Sequence, residues 1–284
     1  MKKSFLTLAT LSARILPVPV KRIIYSLPVA GLIRKQLNRA VPQEPTSVTI
    51  AGGALRGLSM QLDLQEEKDY WLGTYESEVQ LAVLHYVKPG MVVYDVGANI
   101  GYISLLLAKT VTQTGHVYAF EALPENIARL RANLAANQFD QRVSVIPAAV
   151  VDEVKQVNFL VGPSTGMGKV EGSTGRDGVG YSRSFEVPGL SVDDFVYRQG
   201  NPAPQVIKMD IEGGEVMALP GMAEVLSKAR PLLLLELHGP QAAEVAWNSL
   251  RAEGYRLYRL AGGYPEIDQL ETLDWKAYLL ARAG

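Results

Sequence analysis

Acidic side chains stand at the ends of several apolar runs, where they could meet at one site. Asp95 lies in the run MVVYDV (91–96), and Glu121 lies 26 positions later in GHVYAFEA (115–122). Three more acids are close together in KMDIEGGE (208–215). Carboxylates can bind an ammonium group, accept hydrogen bonds from hydroxyls or remove a proton. The pattern therefore predicts that ligand binding and proton transfer share one site.

The loop YDVGANIGYIS (94–104) has a spacing that excludes the common phosphate-binding loops. Gly97 and Gly101 are separated by three residues, and the loop holds no lysine or arginine. A dinucleotide loop has the spacing G-x-G-x-x-G, and a phosphate loop needs Gly-Lys-Ser/Thr. Asn99 and Ile100 also project beside the helix N-terminus that a pyrophosphate would need. A nucleotide-dependent oxidoreductase is therefore disfavoured.

A ligand with an amino group, a carboxylate and a ribose fits this loop better. Asp95 can bind an ammonium group directly or through water, and the amides from Gly97 to Gly101 can bind a carboxylate. Glu121 can accept both ribose hydroxyls, as the acid about 20 positions after a dinucleotide loop does. In the alternative interpretation, Asp95 caps a helix and the glycines only allow close packing.

Strands and helices alternate along the part of the chain that carries these acids, which predicts an α/β fold with a parallel sheet and helices on both faces. Ligands on such sheets bind beyond the carboxyl ends of the strands. The predicted strands are 91–96, 115–122, 143–150, 205–211 and 231–238, followed by two closing strands in YRLYRL and WKAYLLA. The predicted helices are 102–111, 124–138, 241–254 and 215–229, the last with a kink at Pro220-Gly221.

Three segments fall outside this alternation. The segment SVTIAGGALRGLSMQLDL (47–64) predicts a β-hairpin, and YESEVQLAVLHYV (75–87) predicts a helix. Residues 162–184 contain seven glycines and no apolar periodicity. A loop of this length is either functional or disordered. We interpret it as a mobile flap over the site, with inert disorder as the alternative.

Charge is unevenly distributed over the 284 residues, whose formal net charge is −1. Residues 1–40 carry eight basic side chains and no acid, so the rest of the chain carries −9. The basic arm predicts either a helical appendage or peripheral contact with anionic lipid at the inner face of a membrane. Its apolar runs are shorter than a transmembrane helix needs, and it makes a poor signal peptide, so a cytoplasmic location is expected. The acidic body favours a cationic small ligand over nucleic acid.

Cysteine is absent, which excludes disulfides, thiolate nucleophiles and cysteine zinc sites. Three histidines remain. His85 falls on a helix with apolar neighbours and His116 opens a strand, so both are interpreted as structural. His238 ends the fifth predicted strand and is the histidine expected at the site.

Several separated motifs together resemble the FkbM family of S-adenosylmethionine-dependent methyltransferases. The motifs D-V-G-A-N-x-G (95–101) and D-x-E-G-x-E (210–215), with Glu121 between them, are a specific combination. Ala122 stands where the family more often has proline, which changes the turn but keeps the acid before it. The matching segments are YWLGTYESEV (70–79), VKPGMVVYDVGANIGYISLLLAK (87–109), GHVYAFEALPENIARLRANLAAN (115–137), VIKMDIEGGEVMALPGM (206–222) and PLLLLELHG (231–239).

The resemblance implies a class I methyltransferase fold, which is Rossmann-like and has seven mostly parallel strands with the last strand reversed. It implies S-adenosylmethionine (SAM) as cofactor and O-methylation of a hydroxyl on a sugar, a glycolipid or polysaccharide, or a secondary metabolite. The residues implied around the cofactor are Asp95, Gly97, Asn99 and Gly101 for the methionine part, Glu121 for the ribose and Ala148 for the adenine. We divide the chain into a basic helical arm (1–45), a hairpin and helix (46–90) and a methyltransferase domain (91–284).

Methylation of a hydroxyl needs a base near the methyl group, because an alcohol is a poor nucleophile at neutral pH. Asp210 is predicted to end the fourth strand beside the cofactor, with Glu212 in the following turn. Crowded carboxylates raise one another's pKa, which suits a base. Glu76 begins the helix before the first strand and either caps it or faces the acceptor. We predict Asp210, Glu212, His238 and Glu76 as catalytic or substrate-positioning residues.

Two other interpretations of these acids stay open. Glu212 and Glu215 could serve only to stabilise a helix N-terminus through its dipole. Asp210, Glu212 and His238 could instead hold a hard divalent ion, although we assign no metal. The alternative function is a non-catalytic SAM-binding or scaffold protein of the same fold. The expected partner is a small-molecule or glycan acceptor, and the sequence predicts no oligomeric state.

Overall fold

The computed structural model describes residues 44–164, 166–175, 179–273 and 278–284. Within them the chain forms two compact units. The first contains residues 44–77 and Ala135–Asn137, and the second contains Glu78–Leu134 and Gln138–Gly284. The predicted arm lies almost entirely outside the described residues, so its helix and its membrane contact stay predictions. Among the described helices, none has the length and apolar character needed to cross a membrane.

The first unit is built on two antiparallel strands, β1 (Thr46–Thr49) and β2 (Ser59–Leu62), which form the predicted hairpin. The connection between them is nine residues long rather than a tight two-residue turn. It reaches helix α1 (Lys68–Leu72), because the Ala51 amide donates a hydrogen bond to Trp71 O at 2.8 Å. The hairpin and α1 therefore pack as one small body.

The second unit carries the predicted alternation of strands and helices. Its strands are β3 (Val92–Val96), β4 (His116–Glu121), β5 (Val143–Pro147), β6 (Ala149–Val150), β7 (Lys155–Val161), β8 (Gly168–Val170), β9 (Arg183–Leu190), β10 (Val206–Met209), β11 (Leu232–Leu235), β12 (Tyr255–Arg259), β13 (Glu266–Ile267) and β14 (Leu279–Ala283). The helices that lie mainly in it are α2 (Ser77–Tyr86), α3 (Tyr102–Val111), α4 (Pro124–Ala136), α5 (Glu215–Ala218), α6 (Ala223–Lys228) and α7 (Pro240–Ala252). Short helical turns at Asp194–Arg198, Leu219–Met222 and Leu270–Thr272 complete it.

The main sheet, counted over the described residues, has eight strands in the order β13-β12-β14-β11-β10-β3-β4-β5. The five strands from β11 to β5 are parallel, and β14 is antiparallel to both of its neighbours. The predicted mostly parallel sheet with a reversed last strand is therefore confirmed, and β13 adds a two-residue strand at the edge. The chain order reverses between β3 and β10. Ligands bind at such a switch point, beyond the carboxyl ends of the strands.

Aromatic rings fix the middle of this sheet. Tyr94 on β3 and Phe120 on β4 both contact Phe195, with ring centroids 5.7 and 5.1 Å apart. Edge-to-face contacts of this kind contribute about 0.5–1.5 kcal/mol each beyond the area they bury. The Tyr94 hydroxyl donates a hydrogen bond to Pro202 O at 2.7 Å, which satisfies the polar end of a buried ring. Strands β3 and β4 are thus anchored one residue before the acid that each carries.

A smaller sheet, four-stranded within the described part of the chain, has the order β6-β9-β7-β8 and corrects two expectations. The strand predicted at 143–150 is divided, because β5 ends at Pro147, which has no N–H to continue the ladder. The two residues of β6 pair with β9 instead. The glycine-rich segment 162–184 is not without regular structure, because it contains β8, which pairs with β7. The predicted mobility of this segment stays a prediction.

Candidate active site

Asp95 is fully buried at the end of β3 and retains acceptor capacity. Its Oδ2 atom accepts a hydrogen bond from Ser104 Oγ at 2.6 Å, whereas Oδ1 accepts none from any described residue. Lys208, on the neighbouring strand β10, holds its Nζ 3.8 Å from Oδ1. Burial raises the pKa of Asp95, against the opposing charge of Lys208 and the Ser104 hydrogen bond. A ligand ammonium group would satisfy Oδ1, as predicted for this acid.

Gly97 lets the loop after β3 lie directly against the chain that follows β10. Its φ is +82°, in the left-handed region, and a Cβ atom there would overlap the carbonyl oxygen of Asp210. The Gly97 and Ala98 amides both donate to Phe120 O, at 3.0 and 2.9 Å. The predicted cofactor loop and the predicted catalytic acid are therefore in contact through their backbones, and only glycine fits between them.

Asn99 and Gly101 shape the rest of this loop. Both have positive φ, 49° and 94°. The Oδ1 atom of Asn99 is buried and accepts no hydrogen bond from the described residues, which leaves an acceptor for a ligand. A Cβ atom at Gly101 would lie 2.5 Å from Leu130 Cδ1, so this glycine permits close packing of α3 against α4. Packing alone thus accounts for Gly101, whereas it does not account for the Asn99 oxygen.

Glu121 holds the cofactor loop in place, a role that sequence reasoning missed. Its Oε2 accepts a hydrogen bond from the Asn99 amide at 2.7 Å. Its Oε1 accepts from the Ala122 and Leu123 amides at 3.0 and 2.8 Å. Burial raises the pKa of Glu121, and these three amides and the Asn126 side chain oppose the rise. A carboxylate offers about four acceptor positions, so little capacity is left for a ribose, and that contact stays a prediction.

Ala148 and Glu76 lie outside the elements in which the sequence placed them. Ala148 is 4% exposed and falls between β5 and β6, where its amide donates to Ile146 O at 2.9 Å. Glu76 belongs to the first unit and precedes α2 with φ +42°, so it is not a helical residue. The predicted contact of Ala148 with adenine and the predicted acceptor role of Glu76 both stay predictions.

Lys208 joins the two groups of predicted site residues and was not assigned from the sequence. It is 4% exposed, and its Nζ lies 3.8 Å from Asp95 Oδ1 and 3.6 Å from Asp210 Oδ2. The same Nζ donates to Gly97 O at 3.3 Å. A buried charge is stable only with partners of opposite charge or hydrogen bonds. Lys208 therefore fixes the spacing between the end of β3 and the end of β10.

His238 follows β11 and is surrounded by carboxylates. Its Nδ1 lies 3.2 Å from Glu215 Oε1, and its Nε2 lies 3.6 Å from Glu212 Oε2 and 3.7 Å from Asp210 Oδ1. Burial lowers the pKa of His238, but the hydrogen bond to Glu215 and the charges of Glu215, Asp210 and Glu212 outweigh it and raise the pKa to about 9. The structure thus brings together three of the four predicted catalytic residues.

Glu236 completes this cluster, and sequence reasoning missed it. Its Oε1 lies 3.9 Å from His238 Nε2, and burial and the charge of Asp210 raise its pKa. A signal was present in PLLLLELH, where the acid and the histidine are two positions apart at a strand end and therefore point the same way. Among the described residues, Asp210, Glu236 and His238 form a group whose potential ligand atoms all lie within 4.8 Å of one another.

The glycine-rich segment lies close to both halves of this site, which are the loop after β3 and the acidic turn after β10. Thr174 Oγ1 donates a hydrogen bond to Gly213 O at 3.0 Å, in the turn that carries the acids. A Cβ atom at Gly166 would lie 3.6 Å from Asn99 Nδ2, in the loop after β3. Lys169 Nζ donates to Thr174 O at 2.8 Å, which closes the segment on itself. These contacts are compatible with a flap, and both that role and its movement stay predictions.

The span that carries this site matches one family model. The model, described as the methyltransferase FkbM domain, matches residues 95–257, from the first buried acid to β12. The chain belongs to the FkbM methyltransferase family. The family resemblance read from the sequence is therefore confirmed, and the α/β fold agrees with it.

Individual relatives are distant. The chain is 26% identical over 163 residues to the hexuronic acid methyltransferase AglP of Haloferax volcanii. The aligned region covers 57% of this chain and 62% of that protein. It is 46% identical over 59 residues to a protein-L-isoaspartate O-methyltransferase of Aeropyrum pernix, and this shorter alignment covers 21% of this chain and 23% of that protein. The chain thus aligns with less than two thirds of the length of these two curated relatives. The crystal structure of a methyltransferase FkbM from Methylobacillus flagellatus aligns with TM-score 0.46 and 18% identity, over 75% of this chain and 52% of that one.

Proposed function

We propose that this protein is a SAM-dependent O-methyltransferase that acts on a hydroxyl group. One observation carries the proposal: the Lys208 ammonium lies within 4 Å of both Asp95 and Asp210. The acid expected to bind the cofactor and the acid expected to act on the acceptor are therefore neighbours at the switch point of the sheet. A methyltransferase needs this adjacency, because donor and acceptor must react in line.

The residues of the second unit fit SAM. Asp95 Oδ1 and Asn99 Oδ1 are buried acceptors without a hydrogen bond from the described residues, as the ammonium of the methionine part requires. The cofactor, when bound, supplies an electrophilic methyl group on a sulfonium. Gly97 keeps side-chain atoms out of the space between the loop and Asp210. Glu121 holds the Asn99 amide and, in our proposal, also faces the ribose.

The acids after β10 and β11 orient the acceptor hydroxyl and take its proton. Asp210 adjoins residues 97–101, which we call the donor loop, because its carbonyl oxygen lies against Gly97 and Lys208 binds both segments. A positioned base contributes on the order of 10²–10⁴-fold to such a reaction. We therefore assign the proton transfer to the carboxylate cluster, with Asp210 as the member to test first.

The charge of the cluster favours a hydroxyl over a carboxylate as the acceptor. Four carboxylates lie within 4 Å of the His238 ring, so the cluster contains more acids than the two basic groups, His238 and Lys208, that these ion pairs contain. A carboxylate acceptor would add a further negative charge to this partly buried site, which is unfavourable. The name of the Haloferax relative contains a hexuronic acid, which supports a sugar as the acceptor, and the choice of its hydroxyl rests on the charge argument.

Transfer of a labelled methyl group tests the activity. The full chain is incubated with SAM labelled in the methyl group and with glycan and lipid extracts, and the products are identified by mass spectrometry. We expect label on a sugar hydroxyl, as a methyl ether that resists mild base. Label released by mild base would indicate a methyl ester and contradict the hydroxyl assignment. Tight SAM binding without transfer to any extract would favour the non-catalytic alternative.

Replacement of Glu121 by glutamine should weaken SAM binding by about 10-fold or more. Three backbone amides point at the two carboxylate oxygens, and a glutamine would place an NH₂ group against at least one of them. A hydrogen bond to a charged group contributes about 1.5–3 kcal/mol, which corresponds to this loss. Isothermal titration with SAM measures it, and Glu186→Gln at an exposed position is the matched control. Equal affinities of the two variants would contradict the role of Glu121.

A further inference from the structure

His238 presents a nitrogen atom without a hydrogen bond to a group of carboxylates. The residue is 6% exposed, and Nε2 makes no hydrogen bond with any described residue. The nearest oxygens belong to Glu212, Asp210 and Glu236, at 3.6, 3.7 and 3.9 Å. These distances exceed the roughly 3.2 Å limit of a normal hydrogen bond. A buried polar atom without a partner is unusual, and a bound ion or ligand is one physical explanation for it.

The separations between these side chains fit an ion. One ligand atom from each of Asp210, Glu236 and His238 lies within 4.8 Å of the other two. A divalent ion with ligands at about 2.1 Å holds pairs of them roughly 3–4 Å apart. The three ligand atoms are therefore close to the separations that a bound ion imposes.

Glu215 orients the imidazole as metal sites require. It is fully buried, and its Oε1 lies 3.2 Å from His238 Nδ1 and accepts a hydrogen bond from the Ile211 amide at 3.1 Å. A ligating histidine almost always donates from its other nitrogen to a carboxylate or carbonyl, which fixes the tautomer. With its proton on Nδ1, the ring directs the Nε2 lone pair toward Asp210 and Glu236.

We propose that Asp210, Glu236 and His238 bind one divalent cation and that Glu215 positions His238 for it. Two carboxylates and one imidazole form a set suited to Mn²⁺ or Mg²⁺ rather than to a thiolate-seeking ion. Three protein ligands leave coordination positions for oxygen donors, such as water or an acceptor hydroxyl. Only this last role rests on the proposed function, because the cation site stands on the geometry of the four side chains.

A protonated His238 is the competing occupant of the same space. An imidazolium would direct an N–H group from Nε2 toward the same acids and would need no ion. The two arrangements differ in one measurable property, which is the affinity of the folded chain for a cation in the absence of SAM and acceptor. The test therefore uses Mn²⁺ alone as the probe.

Mn²⁺ is titrated into the full chain after treatment with chelator and dialysis, and free Mn²⁺ is followed by its paramagnetic resonance signal. We expect one Mn²⁺ bound per chain, and addition of excess Mg²⁺ should release it. Thermal unfolding before and after chelation shows whether the metal-free chain is folded. A folded chain that leaves all added Mn²⁺ free overturns the proposal and favours the imidazolium.

Variants locate the bound ion. His238→Ala and Glu236→Gln should each weaken Mn²⁺ binding about 10-fold or more, and Glu236 is the safer position because its side chain is 24% exposed. Glu215→Gln, which keeps the shape of the side chain, should weaken binding about 10–100-fold. Asp268→Asn, at an exposed position, is the control and should bind Mn²⁺ normally. Unchanged affinity in both His238→Ala and Glu236→Gln would place the ion elsewhere and overturn the assignment.

SAM binding and methyl transfer, measured on the same samples, separate this proposal from the proposed function. Methyl transfer that persists at full rate in chelator, together with absent Mn²⁺ binding, overturns the cation site and leaves the methyltransferase intact. One bound Mn²⁺ without transfer to any acceptor supports the cation site and contradicts the activity. The two proposals can therefore fail independently.

Discussion

Asp210→Asn is expected to lower kcat by about 10²–10⁴-fold while changing the Kd for SAM by no more than about threefold. Asparagine keeps the size of the side chain and the backbone contact with Gly97, so the donor loop should retain its shape. The negative charge that faces His238 Nε2 at 3.7 Å is lost, whether it acts as a base or holds a cation. The expected split between turnover and cofactor affinity is what separates a role at the acceptor from a role in the donor loop.

The measurement combines isothermal titration of SAM with single-turnover transfer to the acceptor found in the labelled extracts. His238→Ala should show the same split, because the ring lies within 4 Å of both Asp210 and Glu236. Asp268→Asn serves as the matched control, since it removes the same charge from an exposed site. Normal turnover in both Asp210→Asn and His238→Ala would contradict the assignment of the acid cluster to the acceptor.

The sequence could predict that these acids lie at one edge of a sheet, because strand ends are visible in the apolar runs. Asp95 and Glu121 close β-branched or aromatic runs that are buried on both faces, and parallel strands bring their carboxyl ends to one edge. The segment containing Asp210 follows the same rule. A local pattern was therefore enough to group residues that are more than 100 positions apart in the chain.

The partners of these acids could not be predicted in this way, because they depend on register. Lys208 pairs across the strands with Asp95, and nothing in either segment alone fixes that alignment. Glu236 follows a run of leucines, and its two-residue spacing from His238 indicated a shared direction but not its distances to Asp210 and the His238 ring. One of the three amides that bind Glu121 belongs to Asn99, in the loop whose ligand the sequence was used to predict, and the other two follow Glu121 itself. Which side chains meet across a sheet can therefore be read only from the folded structure.

In the glycine-rich segment, the sequence indicated the loop but not the short strand within it. The composition of the segment indicated a long irregular loop, yet β8 forms there as the second strand of a hairpin with β7. The glycine-rich composition hid this pairing, because β7 lies outside the segment and β8 itself is only three residues long. Thr174 and Gly166 then reach the two halves of the site. Tertiary contacts routinely override weak local preferences for irregular structure. The length of the segment suggested a functional loop, which stays a prediction, and its internal pairing could not be predicted.

Gly97→Ala is expected to destabilise the second unit and to abolish most SAM binding. The alanine must adopt a φ of +82°, which costs about 1–2 kcal/mol for a residue with a Cβ atom. Its Cβ would also overlap the carbonyl oxygen of Asp210 and lie 2.9 Å from the carbonyl carbon, both of which are backbone atoms that cannot rotate away. Overpacking of this kind adds about 1–3 kcal/mol. Relief is possible only if the donor loop and the end of β10 move apart.

Gly263→Ala is the matched control, because it has nearly the same backbone angle without the contact. Gly263 has φ +85°, and no heavy atom lies within 4 Å of an added Cβ. The control therefore carries the left-handed strain of about 1–2 kcal/mol alone, which lowers Tm by roughly 2–8 °C in a chain of this size. Gly97→Ala should lower Tm by about twice as much in thermal unfolding, and its Kd for SAM should rise about 10-fold or more at temperatures where the chain is folded.

The comparison isolates the contact between the two halves of the site. Equal Tm shifts with normal SAM affinity in both variants would show that Gly97 is needed only for its backbone angle. The adjacency of donor loop and acid cluster would then rest on the Lys208 contacts alone. A larger Tm shift with weakened SAM binding would tie that adjacency to the cofactor. Because Asp210 is the residue that must move, turnover at saturating SAM should then fall as well. A distortion of the donor loop would thus displace the acids at the acceptor through the carbonyl group of Asp210.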